Sequence, residues 1–389
     1  MPVSLEPTFD VIVVGGGMIG AACTLAFSQV GLRTALVEKN GWGGGATAAG
    51  MGHLIVLDGS AAEFALSRHS QQLWQKLFPS LPHGAEYRNP GTLWVAADEE
   101  EMAEAERKLK FLSERSVPAK LMKSRELAEC EPHLRAGLAG GLLVKEDSVV
   151  FPPNVVIHLL QEAEKLGATL LHCVTVTRLA HGEAHLSDGR ILHARRLVNA
   201  AGAESPLCTE GLPVKKRKGH LAITDRYPGF LNHQVVELGY MKSARTLSAE
   251  SVACNVQPRG TGQILIGSSR QFGVEDTAVE AALLQTMLRR AIHYLPSLAE
   301  LRVIRTWTGF RASTPDKLPL IGPDPRDNSL WLATGHEGLG ITTSMATAEL
   351  LACAFTGRTP PIDPEPYLPA RLLSGAPLSH SESGLKENA

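Results

Sequence analysis

The chain has 389 residues, with 38 Lys and Arg set against 40 Asp and Glu, for a formal net charge of −2. That length is enough for a large core and roughly two domains, and a near-neutral balance without a basic stripe argues against nucleic acid as a partner. Six scattered cysteines show no CxxC spacing, so no zinc or iron–sulfur ligand set is expected and metal is assigned no role.

The first element is greasy. Residues 9–40, FDVIVVGGGMIGAACTLAFSQVGLRTALVEKN, are apolar enough to resemble an export signal or a membrane anchor. The preceding MPVSLEPT has no Lys or Arg, and glycines at 15, 16, 17 and 20 interrupt the apolar run. A cytoplasmic chain without a membrane span is therefore expected. Residues 11–14 form a β-branched run suited to a buried strand, 18–30 have helical length and composition, and 34–37 suit a second parallel strand. Gly15, Gly17 and Gly20 between the first two match the dinucleotide pattern GxGxxG. In that pattern the first glycine allows the tight turn, the second lets a pyrophosphate reach backbone N–H groups, and the third lets helix and strand pack closely. Glu38 falls at the end of the second strand, where a carboxylate can accept hydrogen bonds from ribose hydroxyls.

Residues 41–54 are too glycine-rich for a regular element and are expected to cross close to a ligand. Helices follow over 63–78, 98–114 and 124–130, with a strand at 91–96. Residues 141–180 then repeat the strand, helix and strand grammar, with the helix over 154–166. A hairpin turns at Asp188-Gly189, and residues 196–200 read as a buried strand entering NAAGAES. The run KKRK at 215–218 is expected as a solvated loop. Strands at 234–238, 251–257 and 263–268 and a helix over 278–294 suggest an antiparallel sheet with helical cover. The strand SLWLAT, the turn GHEGLGIT and a helix over 343–355 return the chain to the first domain.

The fold class is thus α/β, a doubly wound nucleotide-binding domain with a second α+β substrate domain built on an antiparallel sheet. The expected boundaries are 1–85, 145–214 and 302–372 for the first, and 86–144 and 215–301 for the second, with a flexible tail over 373–389. Either a nicotinamide or a flavin dinucleotide can sit on the first turn. Further glycine-marked crossings at 41–52, 200–202 and 335–340 suit a long cofactor stretched through the protein.

At this point the wording of the loops becomes specific. VVGGGMIGAA, VEK, ATAAGMG, VNAAGAES, GFRASTPDKLPLIGP and ATGHEGLGITTS occur in order between residue 10 and about residue 356. The chain resembles the D-amino-acid oxidase superfamily of FAD-dependent amine oxidoreductases, which includes glycine and sarcosine oxidases. AAGMGHL and GHEGLGITTS are most similar to the beta subunits of heteromeric D-hydroxyproline and opine dehydrogenases.

The resemblance implies a glutathione-reductase-like FAD domain and FAD held without a covalent bond, since no cysteine stands in the late turn. It gives Gly15, Gly17, Met18, Ile19 and Gly20 to the pyrophosphate, and Glu38 with Lys39 to the adenosine ribose. Ala46, Thr47, Gly50, Met51 and Gly52 contribute phosphate and isoalloxazine contacts, Val174, on a strand before the hairpin, the adenine contact, and Ala201 and Gly202 a second dinucleotide-side turn. Gly335, His336, Glu337, Gly338, Leu339, Gly340, Ile341 and Thr342 match the turn facing the flavin pyrimidine edge, with His336 orienting or packing that turn. Arg311 matches the arginine that grips the substrate carboxylate beside the flavin, a task suited to a guanidinium's paired donors. His53 can line the pocket or carry a proton, and Tyr240 can supply a hydroxyl lid contact.

The implied reaction is dehydrogenation of a small amino or imino acid, of D-hydroxyproline or D-proline type, with hydride passing from Cα to flavin N5. Glycine or sarcosine oxidation and opine dehydrogenation are the alternatives, and a non-catalytic flavin relay is the rival of another class. Companion subunits carrying iron–sulfur and further flavin cofactors are the partners that the beta-subunit resemblance implies.

Overall fold

The structure, a computed structural model, describes residues 8–239 and 250–373. Tyr240 and residues 374–389 of the expected tail lie outside the described residues.

Phe9–Val14 stands near the middle of an eight-stranded sheet. Thr34–Val37 and Ile191–Asn199 flank it in parallel, and Thr169–Leu171 and Asp327–Thr334 continue the parallel run outward. Leu320–Asp324 closes that edge antiparallel. Side chains alternate across a strand, and Phe9–Val14 shows the consequence. Val11 and Val13 pack under the helices Met18–Gln29, Ala61–Leu77, Pro152–Lys165 and Ser344–Thr356, while Ile12 and Val14 face the opposite layer. That opposite layer is the antiparallel ribbon Val176–Ala180 and Glu183–Leu186, which turns at Asp188-Gly189 into Ile191–Asn199. Helix starts carry the expected chemistry, with Ser60 and Asp98 side chains accepting from Glu63 and Glu101 N–H groups. Each such cap stabilises its helix by ~1 kcal/mol.

The second sheet has nine strands. Its spatial order is His336–Glu337, Val303–Ser313, Lys215–Arg226, Gln263–Phe272, Glu250–Pro258, Gln234–Glu237, Thr92–Ala96, Gly140–Val144 and Ala119–Lys123. Its named pairs are antiparallel except Gln234–Glu237 with Thr92–Ala96. Helix Ala281–Tyr294 covers one face, burying Ala222, Cys254, Val256, Ile264 and Ile266. The other face receives the segment around Ala49 and Met51. Among the described residues no helix is long and apolar enough to cross a membrane.

Four local expectations are corrected. Lys215–Lys218 is not a solvated loop but the start of the strand Lys215–Arg226, with Arg217 3% and Lys218 1% exposed. Strands on both sides satisfy its backbone, and Glu337 and Asp276 accept from the two cations, so burial of the charge is compensated. The glycine-rich stretch after Glu38 does contain a regular element, the five-residue helix Gly45–Ala49, where alanines follow the last glycines. Val174 lies in the connection between Thr169–Leu171 and Val176–Ala180 rather than on a strand. Finally, Val303–Ser313 pairs along its length with Lys215–Arg226, which carries the second sheet past residue 301 to Ser313.

Candidate active site

The first turn is built around the absence of side chains. Gly15 adopts φ +106°, and a β-carbon there would lie 2.6 Å from the Ala200 carbonyl oxygen. A β-carbon on Gly20 would fall 1.8 Å from the Gly15 carbonyl oxygen. The loop between them therefore lies tight against the crossing that carries Ala201 and Gly202. Asn199 Oδ1 accepts from the Ala201 N–H at 3.2 Å, and Thr334 Oγ1 donates to the Gly202 carbonyl at 3.0 Å.

Behind this cradle, helix Met18–Gln29 presents its N-terminus without a side-chain cap from Gly17. Thr47 supplies the missing acceptor: its buried Oγ1 takes the Met18 N–H at 3.0 Å, so its own proton remains to be donated. A hydroxyl donor at the positive end of a helix, beside a turn with no room for β-carbons, fits a pyrophosphate. Glu38 ends Thr34–Val37, with Oε2 accepting from the Gly16 N–H at 2.6 Å and Oε1 from the Asn40 N–H at 2.8 Å. Each oxygen keeps a lone pair for a ribose hydroxyl. Val174 lies alongside, its N–H donating to the Glu38 carbonyl at 3.2 Å, while Lys39 pairs with Glu204 at the surface.

The second and fourth glycine-marked segments meet. Gly50 packs against Ile341, 3.1 Å from where its β-carbon would be, and Thr342 Oγ1 donates to the His53 carbonyl at 2.9 Å. The helix that holds Ala46 and Thr47 rests on the second sheet: Gly309 leaves space for the Ala49 methyl, and the Trp307 indole N–H donates to the Ala49 carbonyl at 3.3 Å. Gly52, at φ +80°, fits under the Val150 carbonyl, and Met51 lies against Gly267. In the late turn the Leu339 N–H donates to the His336 carbonyl at 2.9 Å, with Gly335 at φ +80° and Gly340 against the His336 side chain.

Both histidines of the region are held neutral. His336 Nε2 lies 3.0 Å from Thr347 Oγ1, which itself donates to the Thr343 carbonyl, so the ring nitrogen is the donor. Burial pushes the His336 imidazole down to about 3. His53 Nδ1 accepts from the Gln234 side-chain amide at 2.9 Å, and burial followed by the nearby Arg259 charge pushes its ring down to about 3. His336 thus ties its turn to helix Ser344–Thr356, and neither ring carries a charge near neutral pH.

Arg311 reaches sideways across the second sheet. Its Nη1 donates to the Ser269 carbonyl at 3.0 Å, two strands away, and its guanidinium lies over Gly219 on the strand between, 2.6 Å from where a β-carbon would be. Its Nε is 3.8 Å from the β-carbon position of Gly338. The guanidinium therefore sits where the second sheet meets the late turn. Gly219 and Ser269 gave no signal in the sequence, because their part depends on which strands become neighbours. Arg217, which faces Arg311 in register and binds Glu337, was hidden in a run that reads as solvated charge.

A glycine cradle with a hydroxyl donor, a carboxylate with lone pairs to spare and an arginine beside the late turn, set between two large sheets, suit a dinucleotide-dependent oxidoreductase. The family described as DAO, FAD dependent oxidoreductase, matches residues 10–354, and the chain belongs to it. FAD is accordingly its cofactor, and it is an oxidoreductase acting on amino donors. It is 30% identical to glycine oxidase of Pseudomonas aeruginosa over 382 residues, covering 93% of this chain and 99% of that one. It is 29% identical to hydrogen cyanide synthase subunit HcnC of the same organism over 422 residues, covering 95% and 97%. Among solved structures, glycine oxidase from Geobacillus kaustophilus superposes with a TM-score of 0.84 at 26% identity, covering 94% of this chain and 99% of that chain. L-Proline dehydrogenase from P. horikoshii shares the fold with a TM-score of 0.83 at 23% identity, covering 96% and 100%.

Proposed function

We propose that the protein oxidises a small amino or imino acid at Cα, with D-hydroxyproline or D-proline as the favoured type, and that Arg311 holds the substrate carboxylate. The observation that carries this reading is the Arg311 guanidinium laid over Gly219 and brought beside Gly338 of the late turn. FAD, when bound, supplies the hydride acceptor. The residues around it supply position. Arg311 fixes the carboxylate through paired charge-assisted hydrogen bonds, which sets the direction of the Cα–H bond. The nitrogen lone pair of the neutral amine becomes the second bond of the imine as hydride leaves Cα, and the imine then hydrolyses or cyclises. No strong base is required, in keeping with two neutral histidines.

A second reading, glycine as substrate, is favoured by the 30% identity to glycine oxidase over nearly the whole chain. Companion subunits are part of the proposal, supported by the resemblance to beta subunits and by the HcnC relative, whose name is that of a subunit. A cytoplasmic location is proposed with them. The test is anaerobic mixing of the purified yellow protein with D-hydroxyproline, D-proline, glycine, sarcosine and an opine. Bleaching by a cyclic imino acid supports the first reading, bleaching by glycine alone the second, and bleaching by none overturns both. Slow return of colour on admitting air marks a dehydrogenase with a protein acceptor, and rapid return an oxidase.

A further inference from the structure

Glu337 is the one acidic residue of the late turn, and its setting is unusual. It adopts φ +49°, a left-handed conformation that a side chain with a β-carbon rarely takes, and its Cα pairs with Ala312 next to Arg311. Its Oε1 accepts from Arg217 Nη1 at 2.8 Å, and its buried Oε2 has no hydrogen-bond partner among the described residues. Arg217 is itself 3% exposed, lies 4.7 Å from the Phe272 ring centroid, and stands directly opposite Arg311 in the strand pairing. Further cations gather here. Lys317, at φ +65°, has its ammonium held below its usual range by burial and then by the Arg217 charge, with Arg270 adding to the effect. Glu337 and Glu63 act on Lys317 in the opposite sense. Glu337 is thus the carboxylate set directly against Arg217, with Lys317 and Arg270 close by.

A buried opposite-sign pair holds its turn in place, and each half also cancels most of the field of the other. We propose that the Arg217–Glu337 pair sets the reduction potential of the bound flavin, acting as a positioning and charge-balancing device between the substrate arginine's strand and the late turn. The proposal rests on the reading that this turn faces the flavin ring. Reduction adds negative charge to the ring. An uncompensated cation nearby makes that charge easier to place, and an uncompensated carboxylate makes it harder.

The test is the midpoint potential of the FAD-loaded protein, measured by dye-linked titration, together with the FAD dissociation constant. Glu337→Gln leaves Arg217 unbalanced and is expected to shift the potential upward. Arg217→Gln leaves Glu337 unbalanced and is expected to shift it downward. The double variant Arg217→Gln with Glu337→Gln is expected to return close to wild type, and Arg217→Lys, which keeps the charge, to stay near it. Shifts of the same sign in both single variants, or unchanged potentials in both with only looser FAD binding, would reduce the pair to a structural tie and overturn the proposal. The oxidoreductase reading is judged separately, by whether the wild-type protein bleaches with the amine panel.

Discussion

Gly219 and Arg311 stand on neighbouring strands, and a β-carbon on Gly219 would come within 2.6 Å of Arg311 Nη1. A glycine here gives a guanidinium the room to lie flat across the sheet and reach the Ser269 carbonyl. Gly219→Ala keeps the strand and the charge but displaces the guanidinium. The expected outcome is a KM for the amino-acid substrate raised about tenfold or more, since small misplacements of an anchoring group are costly. FAD content is expected to stay unchanged. Steady-state kinetics with flavin absorbance per chain checks both, and an unaltered KM would remove Arg311 from the carboxylate site.

Thr47 spans two jobs, accepting from Met18 N–H and offering its proton at the same helix end. Thr47→Val keeps the shape and loses both. A hydrogen bond to a charged group contributes about 1.5–3 kcal/mol, so FAD is expected to bind about tenfold more weakly or worse. Reconstitution of FAD-stripped protein, followed by flavin fluorescence, measures it.

Gly20 faces the Gly15 carbonyl, and the 1.8 Å approach of a β-carbon leaves no gentle accommodation. Gly20→Ala must push the helix off the strand or open the turn. Purified protein lacking yellow colour, or soluble protein in much lower yield, is the expected result. A fully flavinated variant with wild-type thermal stability would contradict the packing described.

Much of this architecture was legible in the sequence, and the reasons are local. The parallel strand Phe9–Val14, the glycine turn and the helix Met18–Gln29 declare themselves within a short stretch, because β-branched periodicity, turn glycines and helix composition are read from neighbours. Lys215–Lys218 failed for the converse reason. Its burial depends on Asp276 and Glu337, 58 and 120 residues from their partners, and a charge run carries no trace of distant counterions. The boundary at residue 302 places residues 303–313 with the first domain, whereas Val303–Ser313 pairs with Lys215–Arg226, a register that only strand pairing shows. Most of the residues named for the cofactor lie on four glycine-marked segments that meet, but Gly219 and Ser269, which place Arg311, emerge only once the strand order is known.

His336 predicts a pH dependence. Its ring is pushed from an ordinary 6.5 to about 3 by burial. The folded ring resists protonation while the unfolded ring accepts it, so this group's contribution to stability is full above pH 6.5 and is lost as pH falls toward about 3. The loss amounts to at most ~1.4 kcal/mol per pH unit. His336→Gln is expected to be less stable at pH 7, where the link to Thr347 is weakened, yet to lose less stability between pH 7 and 5 than wild type. Denaturant midpoints at the two pH values decide, and equal slopes would contradict a buried neutral ring.

In the proposed reaction Arg311 anchors the substrate carboxylate beside the flavin. Anaerobic stopped-flow reduction of the FAD-loaded protein by its best amine substrate tests it most directly, comparing wild type with Arg311→Lys and Arg311→Gln at equal flavin content. A large rise in the apparent substrate dissociation constant is expected for Arg311→Lys and loss of measurable flavin reduction for Arg311→Gln, with FAD still bound in both. Reduction of Arg311→Gln at the wild-type rate and affinity would contradict it.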